Sequence, residues 1–135
     1  MAKYSLYVFS NCTDPAREAE FNRWYTHIHL PDLRAAKGLV SARRSENLDR
    51  SSPARYLAVY DFETDDVDGS IKSLYELAAA SWPCGRHIDC IAPAPPTTGV
   101  STFREIDPAS LEPLTETHYP TEMPESVRSG FASKS

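Results

Sequence analysis

The chain has 135 residues, a formal net charge of −5, and a composition that is 41% apolar and 24% charged. That length suits one domain with a core of useful size, and the acidic balance argues against nucleic acid as the main partner, since phosphate binding wants a basic face. No apolar run approaches the roughly 18–20 residues that span a bilayer, and Met1 to Phe9 lacks the marks of a secretion signal, so the expectation is a cytoplasmic protein without a membrane partner.

Lys3 to Ser10 reads as a strand, with Tyr4, Leu6 and Val8 on one face and Ser5, Tyr7 and Phe9 on the other. Both faces are largely apolar, which predicts cover on both sides. Asn11 to Pro15 is a turn into a helix. Asp14 can cap it, Pro15 suits the first helical position, and Glu18 completes a capping pattern. The helix is expected from about Pro15 to Ile28, with Phe21, Trp24, Tyr25 and Ile28 as one apolar stripe. Pro31 ends or sharply perturbs it. Leu30 to Lys37 reads as a second short helical turn, stopped by Gly38.

Leu39 to Asn47 reads as strand two, with Leu39, Ser41 and Arg43 on one face and Val40, Ala42 and Arg44 on the other. Ala54 to Glu63 is strand three, and the short polar link predicts an antiparallel hairpin. Arg43, Arg44, Arg50 and Arg55 read as a solvated hairpin end, with a small-anion site as the alternative. A second helix opens at Asp65 to Asp68 and runs to about Ala80, burying Ile71, Leu74, Tyr75, Leu77 and Ala78. Ser81 to Cys90 reads as irregular. Pro93, Pro95 and Pro96 argue against regular structure there. Thr97 to Ile106 reads as strand four, with Val100, Thr102 and Ile106 alternating against Phe103.

From Asp107 the composition turns to Pro, Ser, Thr and Glu, which predicts an extended or disordered arm. The expected division is a domain over 1–106 and an arm over 107–135. Leu111, Leu114, Tyr119, Met123 and Phe131 would let the arm wrap a partner subunit or cover a pocket, while His118 is expected to be exposed. Cys12, Cys84 and Cys90 are an odd number without a secretion signal, so reduced thiols are expected. Their spacing is not a zinc pattern.

The order β-α-β-β-α-β predicts an α+β, ferredoxin-like layout, a four-stranded antiparallel sheet with two helices on one face. The other face would be a large exposed apolar patch on a monomer. Packing it against a second copy makes a dimeric α/β barrel, so a homodimer is expected.

Phe21, Trp24, Tyr25, His29, Pro31 and Asp32, followed by Gly38 and the strand that carries Arg43 and Arg44, form a pattern. It resembles the EthD-like branch of the dimeric α/β-barrel superfamily over about residues 3 to 106. What the resemblance implies is a fold shared by polyketide cyclases, lactone isomerases, decarboxylases, cofactor-free monooxygenases and haem enzymes. Fold alone does not choose among them.

An imidazole titrates near neutral pH and moves protons readily. His29 is therefore the candidate general acid/base, at the mouth of a pocket between the first helix and the sheet. A helix C-terminus would raise its pKa, and Asp32 is placed to orient it. The competing reading makes His29 a cap on the helix's last carbonyls. Tyr25 lies one turn earlier. His27 points roughly 200° away from His29 on a helix, so the pair does not suit a metal. Trp24, Tyr7, Phe9 and Tyr60 are candidate substrate-binding residues, and a tyrosine phenol can donate to a carbonyl or enolate oxygen. His87 falls where related polyketide cyclases carry a catalytic histidine, without matching their motif. The expected function is a cofactor-independent, metal-free enzyme acting on a small apolar or aromatic carbonyl compound, of lyase, cyclase, decarboxylase or dehydratase type. The alternatives are an oxygenase or haem enzyme with His87 as axial ligand, and a non-catalytic small-ligand-binding dimer.

Overall fold

Strand alternation sorts the side chains of this chain onto two unlike faces, and helices cover one of them. The computed structural model describes residues 1–94, 99–114 and 122–132. Five strands form one sheet: β1 (Ala2–Cys12), β2 (Leu39–Glu46), β3 (Tyr56–Thr64), β4 (Ile91–Pro93) and β5 (Val100–Arg104). The order is β2-β3-β1-β4, and β5 also pairs with β1. All pairings are antiparallel. β4 covers Ser10 to Cys12 and β5 covers Tyr4 to Val8, so together they are one interrupted edge strand.

The expected fourth strand is β5, shorter than Thr97 to Ile106, and its expected start at Thr97 lies outside the described residues; β4 is an added strand where Pro93 was expected to prevent regular structure. Pro93 sits in β4 despite its missing N–H, a position proline tolerates on a sheet edge. Gly99 closes the interruption at φ +94°, where a Cβ would stand 2.8 Å from the Pro93 Cβ.

Asp14 accepts from the Ala16 N–H at 3.0 Å and opens a 3₁₀ turn over Pro15–Arg17. α1 (Glu18–Trp24) follows, then a π-helical turn (Tyr25–His29), then α2 (Leu30–Leu33). The helix therefore passes through Pro31 instead of stopping at Ile28. After Gly38, β2 begins with a bulge between Leu39 and Ser41. The bulge breaks the expected alternation, so Leu39 and Ala42 both reach the core while Val40 is exposed. α3 (Val67–Ala80) is capped by Asp66, which accepts from the Gly69 N–H. Tyr75, expected in its buried stripe, is exposed instead; Leu74 is buried, and Ile71, Leu77 and Ala78 pack against the core.

Leu6 on β1 and Tyr56, Ala58, Tyr60 and Phe62 on β3 meet Phe21, Trp24, Tyr25, Leu30, Leu33 and Leu74 in the core. The alternate residues Tyr7, Phe9, Leu57, Val59 and Phe103 face the other way. Tyr7 and Phe103 meet edge to face across β1 and β5, ring centres 5.1 Å apart. That face is not wholly apolar. Asp61 accepts from Ser5 Oγ at 2.6 Å and Ser41 Oγ at 2.8 Å, and pairs with Arg43. Burial alone would raise its pKa, but these donors together hold it below the ordinary carboxylate value.

The chain divides into two units, Met1–Glu105 and Ile106–Ser135. The second contains a 3₁₀ turn at Pro108–Ser110 and a helix, α4 (Glu125–Ala132), where an extended or disordered arm was expected. Arg128 pairs with Glu125 one turn earlier, at 2.7 Å, which supports that helix. Leu111, Leu114 and Met123 are exposed. His118, Tyr119 and the side chain of Phe131 lie outside the described residues. Among the described residues no helix is long and apolar enough to cross a membrane.

Candidate functional site

Proline at position 31 cannot donate to the carbonyl of His27, and its ring would crowd that carbonyl in an ordinary helix. The widened turn absorbs the conflict. Its closing bond runs from the Leu30 N–H to the Tyr25 carbonyl, five residues back. In a regular α-helix residues five apart point about 140° from each other. Here Trp24 and His29 stack, ring centres 4.6 Å apart and planes 20° apart. The Tyr25 ring stands edge-on to the same imidazole at 5.0 Å.

This placement reverses the expected titration of His29. The helix does not end at His29, so no row of free carbonyls favours its charge. Burial drives the pKa down to about 4, repulsion from His87 and Arg44 adds to the fall, and Asp32 only partly opposes it. Among the described residues no group hydrogen-bonds the His29 ring, so the capping reading is not what the geometry shows. His27 is exposed on another side of the helix.

Asp32 does not orient His29. Its carboxylate accepts both Arg86 Nε at 2.8 Å and Arg86 Nη2 at 2.9 Å. The Trp24 indole Nε1 donates to the Arg86 carbonyl at 2.7 Å. These bonds dock the segment after α3 onto α1 and α2. The same segment lays the Trp82 ring on His87 at 3.4 Å and turns His87 edge-on to Trp24 at 6.0 Å. Burial also lowers the His87 pKa, against the pull of Asp89.

A surface pocket of about 400 Å³ opens here, with Trp24, Trp82, His87 and Ile88 as its apolar wall. Its polar rim is Arg17, which donates to Asp89 at 2.6 Å and to Glu20 at 2.8 Å. The pocket offers flat aromatic surface, and its one arginine is already neutralised by two carboxylates.

Tyr25 and Tyr60 are 2% and 1% exposed, with their hydroxyls 3.4 Å apart. Burial raises both pKa values, so both remain neutral phenols. Neither residue lines the aromatic pocket, and neither do His29 and Asp32; of the candidate residues only Trp24 and His87 line it, so the expected place of His29 at a pocket mouth is corrected. Tyr7 and Phe9 lie on the opposite face of the sheet from His29. The candidate residues thus divide: Trp24, Tyr25, His29, Asp32 and His87 come together, Tyr60 is core beneath them, and Tyr7 and Phe9 are elsewhere.

Three residues that organise this region were not singled out from sequence. Arg44, read as part of a solvated hairpin end, turns inward. Its guanidinium lies 4.4 Å over the Tyr25 ring and donates to Asn22 Oδ1 at 2.9 Å and Thr26 Oγ1 at 3.1 Å. Its Nε is buried without a hydrogen-bond partner among the described residues. The signal was strand parity, because Arg44 shares the face of Ala42. Arg86 and Trp82 lie in a segment with no periodicity, where nothing local announces a partner.

Among the described residues no group of three or more His, Cys, Asp or Glu is placed to hold a metal ion. No family model matches the chain, and no curated protein sequence matches it significantly. Solved structures do. A proposed antibiotic biosynthesis monooxygenase of Bordetella bronchiseptica superposes with a TM-score of 0.56 at 21% identity, over 78% of this chain and 99% of its own. An EthD family protein of Bacillus halodurans C-125 superposes with a TM-score of 0.52 at 11% identity, over 78% of this chain and 100% of its own. At such identities the likeness is one of fold. This chain has the ferredoxin-like α+β fold in the form carried by that EthD family protein, as the residues from Phe21 to Gly38 implied.

Proposed function

We propose that this chain is an enzyme acting on a small apolar or aromatic carbonyl compound, with His29 moving a proton next to the carbonyl. The observation that carries the reading is an imidazole without a hydrogen-bond partner among the described residues, held in its neutral form against Trp24. At neutral pH such a ring is ready to accept a proton. The π face of Trp24 and the charge of Asp32 favour the imidazolium that forms, against the larger opposing effect of burial, so the proton would be held briefly and passed on. The indoles of Trp24 and Trp82 would hold a flat, uncharged substrate in the adjoining pocket. Neither a metal nor an organic cofactor is required for the proton transfer. The fate of the resulting carbanion defines the reaction class: elimination, cyclisation or decarboxylation.

A second reading, favoured by the shared fold with a proposed monooxygenase, sends the same carbanion to molecular oxygen. Both begin with the same proton. In either case the active form is a homodimer that covers the open sheet face. The test is exchange of the α-proton of aromatic ketones and polyketide-like diketones in heavy water. His29→Ala should slow exchange at least ~10²-fold, and unchanged exchange would overturn the role of His29. Oxygen uptake with the same compounds separates the two readings.

A further inference from the structure

Two cysteines 78 positions apart meet where β1 ends and β4 begins: Cys12 Sγ lies 3.6 Å from Cys90 Sγ. The sheet itself brings them together. Cys12 is in register with Ile91, and the Thr13 N–H donates to the Cys90 carbonyl at 2.7 Å. Cys90 is 3% exposed and packs in the core, whereas Cys12 is half-buried. Cys84 is exposed, six residues earlier on the docked segment. Both thiols of the close pair are free, and neither takes part in the proton chemistry described above. Closing a disulfide requires the sulfurs to approach to about 2.05 Å, a shift that rotation at the end of two strands can supply.

We propose that Cys12 and Cys90 are a reversible oxidation site, converted to an intramolecular disulfide by a low-molecular-weight disulfide such as oxidised glutathione. The Cys12 thiol, the reachable member, loses its proton to solvent. Its sulfur attacks one sulfur of the oxidant, breaking that S–S bond and releasing one thiolate. Cys90 then gives up its proton, and its sulfur attacks Cys12 Sγ, expelling the second thiolate. In sum, two protein thiols and one small disulfide become one protein disulfide and two small thiols. The protein loses two electrons and the oxidant gains them. Burial raises the Cys90 pKa, which suits the resolving member better than the first attacker.

The cross-link would tie the start of β4 to β1. The run His87 to Asp89, which walls the aromatic pocket, lies immediately before Cys90, so oxidation would restrain that wall. The site stands whether or not His29 is catalytic.

The test uses the full chain carrying Cys84→Ser, so that only the pair reports. The protein is equilibrated in glutathione buffers of graded redox poise, then mapped by mass spectrometry. The expected result is loss of both thiols together, a Cys12–Cys90 linked peptide, full reversal by dithiothreitol, and a melting midpoint raised by at least about 5 °C. In the same background Cys90→Ser should trap glutathione on Cys12, whereas Cys12→Ser should leave Cys90 unmodified. A lasting glutathione adduct on Cys12 with Cys90 still free, or a disulfide between two chains in place of the internal one, would overturn the proposal.

Discussion

The imidazole of His29 lies face to face with the indole of Trp24, 4.6 Å away, although the two residues are five positions apart. Only the widened turn makes that contact possible, and the contact is what strips His29 of water on one side. A histidine so placed is neutral through most of the range in which an ordinary histidine titrates.

The folded pKa of His29, about 4, lies below its unfolded value of 6.5. The unfolded chain therefore binds the proton first as pH falls. Stability from this group is complete above about pH 6.5, declines between there and about pH 4, and is constant below, a loss of at most about 3 kcal/mol. His87, also lowered, adds a change of the same sign. Urea unfolding at pH 7, 5.5 and 4 should show the decline, and His29→Gln should flatten it. An NMR titration placing His29 near 6.5 would remove the basis for a neutral base.

Arg44 makes an unusual prediction about conservative change. Arg44→Lys keeps the charge but loses the planar fork that reaches Asn22 and Thr26 and lies over Tyr25. It should cost about 1–2 kcal/mol. Arg44→Met removes the charge together with the unpartnered buried Nε, and should cost less. Denaturant midpoints compare the two, and a better-tolerated lysine would contradict the ordering.

The Asp32–Arg86 pair is partly exposed, with side chains 27% and 50% accessible. Its contribution to global stability should be under about 1 kcal/mol. Its local effect should be larger. Asp32→Asn is expected to speed amide hydrogen exchange from Arg86 to Asp89 while the unfolding midpoint barely moves. Unchanged exchange there would mean that the Trp24 bond to the Arg86 carbonyl docks the segment alone.

The open sheet face carries the exposed ring of Phe103 beside Tyr7. Phe103→Glu places a charge where a second copy would pack. In sedimentation at micromolar concentration the unaltered chain should run as a dimer and the variant as a folded monomer. A monomeric unaltered chain would contradict the homodimer.

Much of the architecture was legible because it rests on periodicity. Alternation in Tyr4–Leu6–Val8 assigned the first strand and its faces, Ala54 to Glu63 read as a strand without its faces, and Asp14–Pro15 marked the first helix start. Two failures came from local events that periodicity cannot see. The bulge at Leu39/Ser41 shifted one strand by a residue, and the π-turn carried a helix through Pro31. Of the residues that come together, Trp24 and Tyr25 were legible in the helical stripe, while His29, Asp32 and His87 were named from imidazole chemistry and the family pattern. Trp82 and Arg86, which hold His87 in place, stand in an aperiodic segment held by long-range bonds. The inward turn of Arg44 was hidden by its charge, since arginine is ordinarily a surface residue.

The π-turn carries one residue more than an ordinary helical turn, and Pro31 depends on it. Deleting one residue between Tyr25 and His29 would turn the bond from the Leu30 N–H to the Tyr25 carbonyl into an ordinary helical one. Leu30, Asp32 and Leu33 would keep their directions, but the Pro31 ring would then meet a carbonyl held in regular helical geometry. Proline at this position and the extra residue should therefore be kept or lost together in homologous chains.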